Sequence, residues 1–159
     1  MTPLPTTYTT YIQRLVRLLK DYFNLQDYEL TTKYQREDDS TGYGQLLATI
    51  RTDPRYFNIL LDLYPPVFKY YSEHDYEKVG RILVHEFCHT LYQPIYNRFS
   101  KNVSEAEEDE VENLFEQQVQ RTANIVFQSL PQSFYLPTPT PKSTTKKKVS
   151  NVKSTRNRK

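Results

Sequence analysis

From Tyr8 to Phe23 apolar side chains recur at intervals of three and four: Tyr8, Tyr11, Ile12, Leu15, Val16, Leu18, Leu19, Tyr22 and Phe23. Gln13, Arg14, Arg17 and Lys20 fall on the other side. The spacing predicts an amphipathic helix after a short unstructured lead over 1–7. The period then shortens to two. Tyr28–Tyr34, Tyr43–Thr52 and Tyr56–Tyr64 read as strands, separated by the polar Gln35–Gly44 and by Asp53-Pro54, and stopped by Pro65-Pro66. The short second connection predicts that the last two strands pair antiparallel. Past Pro66 the helical period returns, with a short helix over Val67–Ser72 and a longer one from an Asp75 cap to Gln93, before Pro94. Ser104 and Glu107 form a Ser-x-x-Glu capping box. It opens a long helix striped by Val111, Leu114, Phe115, Val119, Thr122, Ile125 and Val126. The expected fold class is α+β, with helices on one face of a small three-stranded sheet.

Composition adds a boundary. The 159 residues suit one domain, and 37% hydrophobic with 25% charged residues excludes a membrane protein or a wholly disordered chain. The net charge of +2 conceals an asymmetry: from Pro131 onward there are eight basic residues and no acid. The first 130 residues therefore carry 21 − 8 = 13 basic against 19 acidic groups, a net of −6. We expect a folded domain over 1–130 and a disordered tail over 131–159, rich in Pro, Thr, Ser and Lys. Such a tail can make weak, salt-dependent contact with nucleic-acid phosphates. No aromatic residue interleaves its lysines, and no base-reading motif is present. One cysteine, Cys88, excludes a disulfide framework within the chain and any multi-cysteine metal cluster. The N-terminus lacks a Sec-type signal, and no apolar run approaches the ~18–20 residues of a membrane span. The expectation is a soluble cytoplasmic protein with no membrane partner.

The chemistry concentrates in VGRILVHEFCHTLYQ, residues 79–93. His85-Glu86-Phe87-Cys88-His89 is an H-E-x-x-H sequence inside a predicted helix, the context that gives the motif meaning. Positions i and i+4 share a helix face, so two imidazoles can reach one Zn2+ at roughly 2.0–2.1 Å. Glu86, about 100° round the helix, is placed as a general base toward a metal-bound water rather than as a ligand. The chain has three histidines and two are in the motif; His74 reads as a turn residue and Cys88 as a small packed one. Tyr92 stands where the metzincin extension requires glycine, and no histidine follows. The third ligand must then be an acid of SEAEEDEVENLFE (104–116). Glu108 precedes Val111 by three and Phe115 by seven, which makes it the best candidate. Glu112 is then an outer partner to a ligand histidine, or the alternative ligand. Glu105, Glu107, Asp109 and Glu110 fit a solvated acidic first turn.

His85-Glu86-x-x-His89 followed by Glu108-x-x-Val111-Glu112 resembles the gluzincin branch of zinc metallopeptidases. More narrowly, VHEFCHTLYQPI followed by EEDEVENL is similar to compact zincin-like proteins encoded by bacteriophages. The resemblance is carried by residues 79–116. It implies a minimal zincin-like fold, with His85, His89 and Glu108 on zinc and Glu86 as catalytic base. The implied activity is hydrolysis of a protein or peptide substrate, in the host cytoplasm if the chain is phage-encoded. A zinc-binding module without turnover is the competing reading. No histidine after His89 can stabilise an oxyanion; Tyr92, Tyr96 and Arg98 are open substitutes. Tyr56–Leu63 is the expected edge strand, able to pair with an extended peptide.

Overall fold

The N-terminal amphipathic stretch forms helix α1 (Thr6–Tyr22), which buries Tyr8, Tyr11, Ile12, Leu15, Val16 and Leu19. Its register matches the pattern, except that Leu18 and Tyr22 lie largely exposed. The computed structural model describes residues 4–35, 40–41, 44–53 and 55–137. Three strands form a mixed sheet in the order β1-β5-β4, from β1 (Glu29–Tyr34), β5 (Asn58–Leu63) and β4 (Ala48–Asp53). β1 runs parallel to β5 and β4 antiparallel to it. The antiparallel pairing of the last two strands therefore holds. The expected second strand divides, because β2 (Ser40–Thr41) and β3 (Gly44–Gln45) form a separate two-stranded ribbon ahead of β4.

The edge-strand expectation is overturned: β5 is central. Its segment NILLDL buries Ile59, Leu61, Asp62 and Leu63, whereas β1 alternates exposed and half-buried residues. The most apolar strand takes neighbours on both sides, which leaves β1 and β4 as the edges. Asp62, buried on β5, is held by Arg51 at 2.9 Å and by the Gln35 side-chain amide at 2.6 Å.

Helix α2 (Pro65–Ser72) starts on the prolines that stop β5, where a missing N–H costs nothing. It ends in a left-handed residue, His74 (φ 65°). Asp75 then caps α3 (Tyr76–Phe99), accepting from the Lys78 N–H at 3.1 Å. α3 does not stop at Gln93 but runs through Pro94 to Phe99. After a short 3₁₀ turn, α4 (Glu105–Ser129) begins with the expected Ser104–Glu107 capping box and returns along α3. The core joins α1 to Ile50, Ile59, Leu61 and Leu63 of the sheet, Val79, Leu83, Val84 and Phe87 of α3, and Val119, Ala123 and Phe127 of α4. Among the described residues, four helices with a small mixed sheet make the fold α+β, as the order of periods predicts.

The expected domain end at residue 130 falls short. Phe134 is buried, and Tyr135 stacks on Phe127 with centroids 5.4 Å apart. The Arg14 guanidinium donates to the carbonyls of Phe134 (2.9 Å) and Leu136 (2.6 Å), and the Tyr11 hydroxyl to that of Tyr135 (2.6 Å). The apolar pair Phe134-Tyr135, inside an otherwise polar run, is what docks. The basic residues from Lys142 onward lie outside the described residues, and among those described no helix is long and apolar enough to cross a membrane.

Candidate metal centre

α3 packs on β4 and buries Val84, Phe87 and Cys88. That fixes the rotation of the H-E-x-x-H turn. His85 and His89 face α4, and their rings lie 4.9 Å apart with the two Nε2 atoms at 3.2 Å. The carboxylate that meets them belongs to Glu116, at 3.6 Å from His85 Nε2 and 3.5 Å from His89 Nε2. All three donor groups lie within 4.8 Å of one another. Ligands in a tetrahedral shell at about 2.0–2.1 Å from zinc stand about 3.3 Å from each other. The 3.2 Å between the imidazole nitrogens, and the 3.6 and 3.5 Å from them to different oxygens of the one carboxylate, lie near that value.

Neither Glu108 nor Glu112 belongs to the group that the structure brings together. Glu112 lines the adjoining cavity, one turn away; Glu108 is exposed a further turn toward the start of α4. The displacement follows from Pro94. Six further residues on α3 add about 9 Å, and the returning helix must retrace that length before it reaches the histidines. Eight residues on α4, from Glu108 to Glu116, correspond to about 12 Å. Contacts of Tyr96 and His89 with Phe115 (ring centroids 4.6 and 5.6 Å), and Tyr92 Oη to Thr122 Oγ1 (2.7 Å), set this register. The sequence carried one signal for Glu116: it follows Phe115 and precedes Val119 by three, on the flank of the apolar stripe.

The four ionisable groups shift one another. Hydrogen bonding to Glu116 raises His85 above the ordinary imidazole value and lowers Glu116 below the ordinary carboxyl value. Burial lowers His89. Glu86, only 8% exposed, is pushed up to about 8 by burial; the neighbouring His85 and the backbone of Ile50 on β4 oppose that shift. His85 Nδ1 is buried without a partner among the described residues.

A cavity of about 470 Å³ opens beside these groups, lined by Ala48, Thr49 and Ile50 of β4, Tyr96 of α3 and Phe115 of α4, with Glu86 and the three donors. Of the open substitutes for an oxyanion donor, only Tyr96 reaches it. Tyr92 is committed to Thr122, and Arg98 is exposed away from the cavity. His74 is exposed against Tyr76, remote from the donors, and Cys88 is packed in the core. No protein-family model, curated protein or solved structure matches the chain.

Proposed function

We propose that the chain is a zinc-dependent metallopeptidase in which His85, His89 and Glu116 hold the ion and Glu86 is the general base. The observation that carries this reading is the convergence of two imidazole nitrogens and one carboxylate within 4.8 Å of one another, beside a carboxyl group buried one residue from a donor. Zn2+ held there would lower the pKa of a water toward ~7 and draw the Glu86 proton off by its positive charge. Glu86 would then accept a proton from the attacking water and return it to the leaving amine.

The peptide would enter along β4. Leu47 accepts from the Tyr64 N–H, so by antiparallel alternation Thr49 and Arg51 bond to β5 while Ala48 and Ile50 turn their backbone groups to the open edge. An extended substrate added there runs past Glu86. The likeness of residues 79–116 to compact phage zincins is consistent with this reading.

Elemental analysis of untagged protein should give about one zinc per chain, lost in His85→Ala. Glu86→Gln should keep the metal and lower kcat on a cleaved protein by at least about 10²-fold. Undiminished cleavage by Glu86→Gln would refute the mechanism. A second reading, a zinc-binding module without turnover, is favoured by one feature. Among the described residues the cavity has no lysine, arginine or further histidine to meet an oxyanion. Zinc binding with no cleavage of any protein offered would select it.

A further inference from the structure

At the sheet edge opposite β4, α1 and β1 enclose a groove of about 360 Å³, separate from the candidate metal centre. Its walls are Val16, Arg17 and Lys20 on one helix face and Leu30, Thr32 and Tyr34 on one strand face. Two observations bear on what it holds. First, the edge is open. Glu29 N–H bonds to Phe57 and Gln35 N–H to Leu63, so by parallel alternation Thr31 and Lys33 also face β5. Leu30, Thr32 and Tyr34 therefore turn their N–H and carbonyl groups outward, with no strand beside them among the described residues.

Second, the walls carry two cations and no acid. Arg17 makes no ion pair among the described residues. Lys20 Nζ donates to the carbonyl of Tyr28 at 2.5 Å, which sets its charge at the start of the free edge with donors to spare.

The geometry points to β1 as the docking edge for an extended acidic segment of a partner protein, added as a fourth strand. Its backbone would pair with Leu30, Thr32 and Tyr34, an apolar side chain would rest on Val16 and Leu30, and carboxylates would meet Arg17 and Lys20. The two cations also guard the edge, since a basic or purely apolar strand gains nothing from them.

The test is fluorescence anisotropy on the full chain, with a labelled hexapeptide in which Glu, Leu and Glu alternate with Thr. It should bind with a Kd of about 10–100 µM at about 50 mM salt and weaken several-fold at about 300 mM. The same peptide with Lys for Glu should not bind. Arg17→Glu should weaken binding about tenfold. Thr32→Pro should do likewise, because it deletes an outward N–H and no ladder bond; thermal melts establish that both variants are folded. The inference fails if no anisotropy change occurs up to about 1 mM peptide, or if the Lys peptide binds equally. It fails as strand addition if folded Thr32→Pro binds like the parent protein. Equal affinity for a single-stranded oligonucleotide would also overturn it, in favour of general phosphate binding. Should Thr32→Pro not fold, Arg17→Glu and the Lys peptide still decide.

Discussion

Glu116 sits about half exposed on α4, yet both of its oxygens point at imidazoles. If these three groups hold zinc, Glu116→Gln should weaken zinc binding by more than about 10²-fold, whereas outer partners typically contribute 10–100-fold. Glu108→Gln should leave it within about threefold, since that carboxylate lies two turns away. Competition with a fluorescent zinc chelator measures both. Zinc must also displace the proton that Glu116 stabilises on His85. Affinity should therefore climb with pH through His85's raised pKa and on toward about 8, because the ion also draws off the Glu86 proton, falling about tenfold per unit for each proton displaced. The metal-free protein carries the opposite dependence. His85 is raised from 6.5, and Glu86 from 4.5 to about 8, so through neutral pH up to about 8 the native state binds more protons than the unfolded chain. Stability of the apo protein is thus greatest on the acid side of neutrality and declines toward pH 8. Urea midpoints of chelator-treated protein at pH 6.5 and 8.5 would show that fall; a flat profile would contradict the burial of a protonated Glu86.

The helical hairpin of α3 and α4 is where element lengths decide chemistry. Gly80 lies under Tyr135 and Phe127; an added Cβ would stand 2.8 Å from Tyr135 Cβ and 3.2 Å from Phe127 Cε2. Gly80→Val should cost about 2–3 kcal/mol, more than any gain from leaving glycine, as read by denaturant unfolding. The elements themselves could be read from the chain, because periods of 3.6 and 2 and the caps at Asp75 and Ser104 are local signals. His85, Glu86 and His89 were readable for the same reason: their geometry is internal to one helix. The acid that meets the two histidines was not, because it depends on where the hairpin turns. Pro94 normally predicts a helix end, and here packing of Tyr92 and Tyr96 against α4 carries the helix through it. Strand order likewise rests on long-range pairing, so the central place of β5 was hidden behind its likeness to any short apolar strand.

In the molecule as a whole, α1 and the segment after α4 form one seam. Ending the chain after Pro137 should leave the melting temperature within about 2 °C. Ending it after Leu130 should lower stability by at least about 3 kcal/mol, since truncating a buried Phe such as Phe134 to Ala alone costs that much. Equal melting of the two truncations would mean that the strap adds nothing. Arg14 already touches the carbonyls of Phe134 and Leu136, and α1 reaches back only about 12 Å from Arg14 to its first residue. The two ends of the folded body are therefore neighbours, and a short linker could join them into a ring. A closed backbone has fewer unfolded arrangements to lose. New ends could be opened at Tyr56 and Phe57, both exposed, where the cut would also release Phe57 from its left-handed φ of 52°.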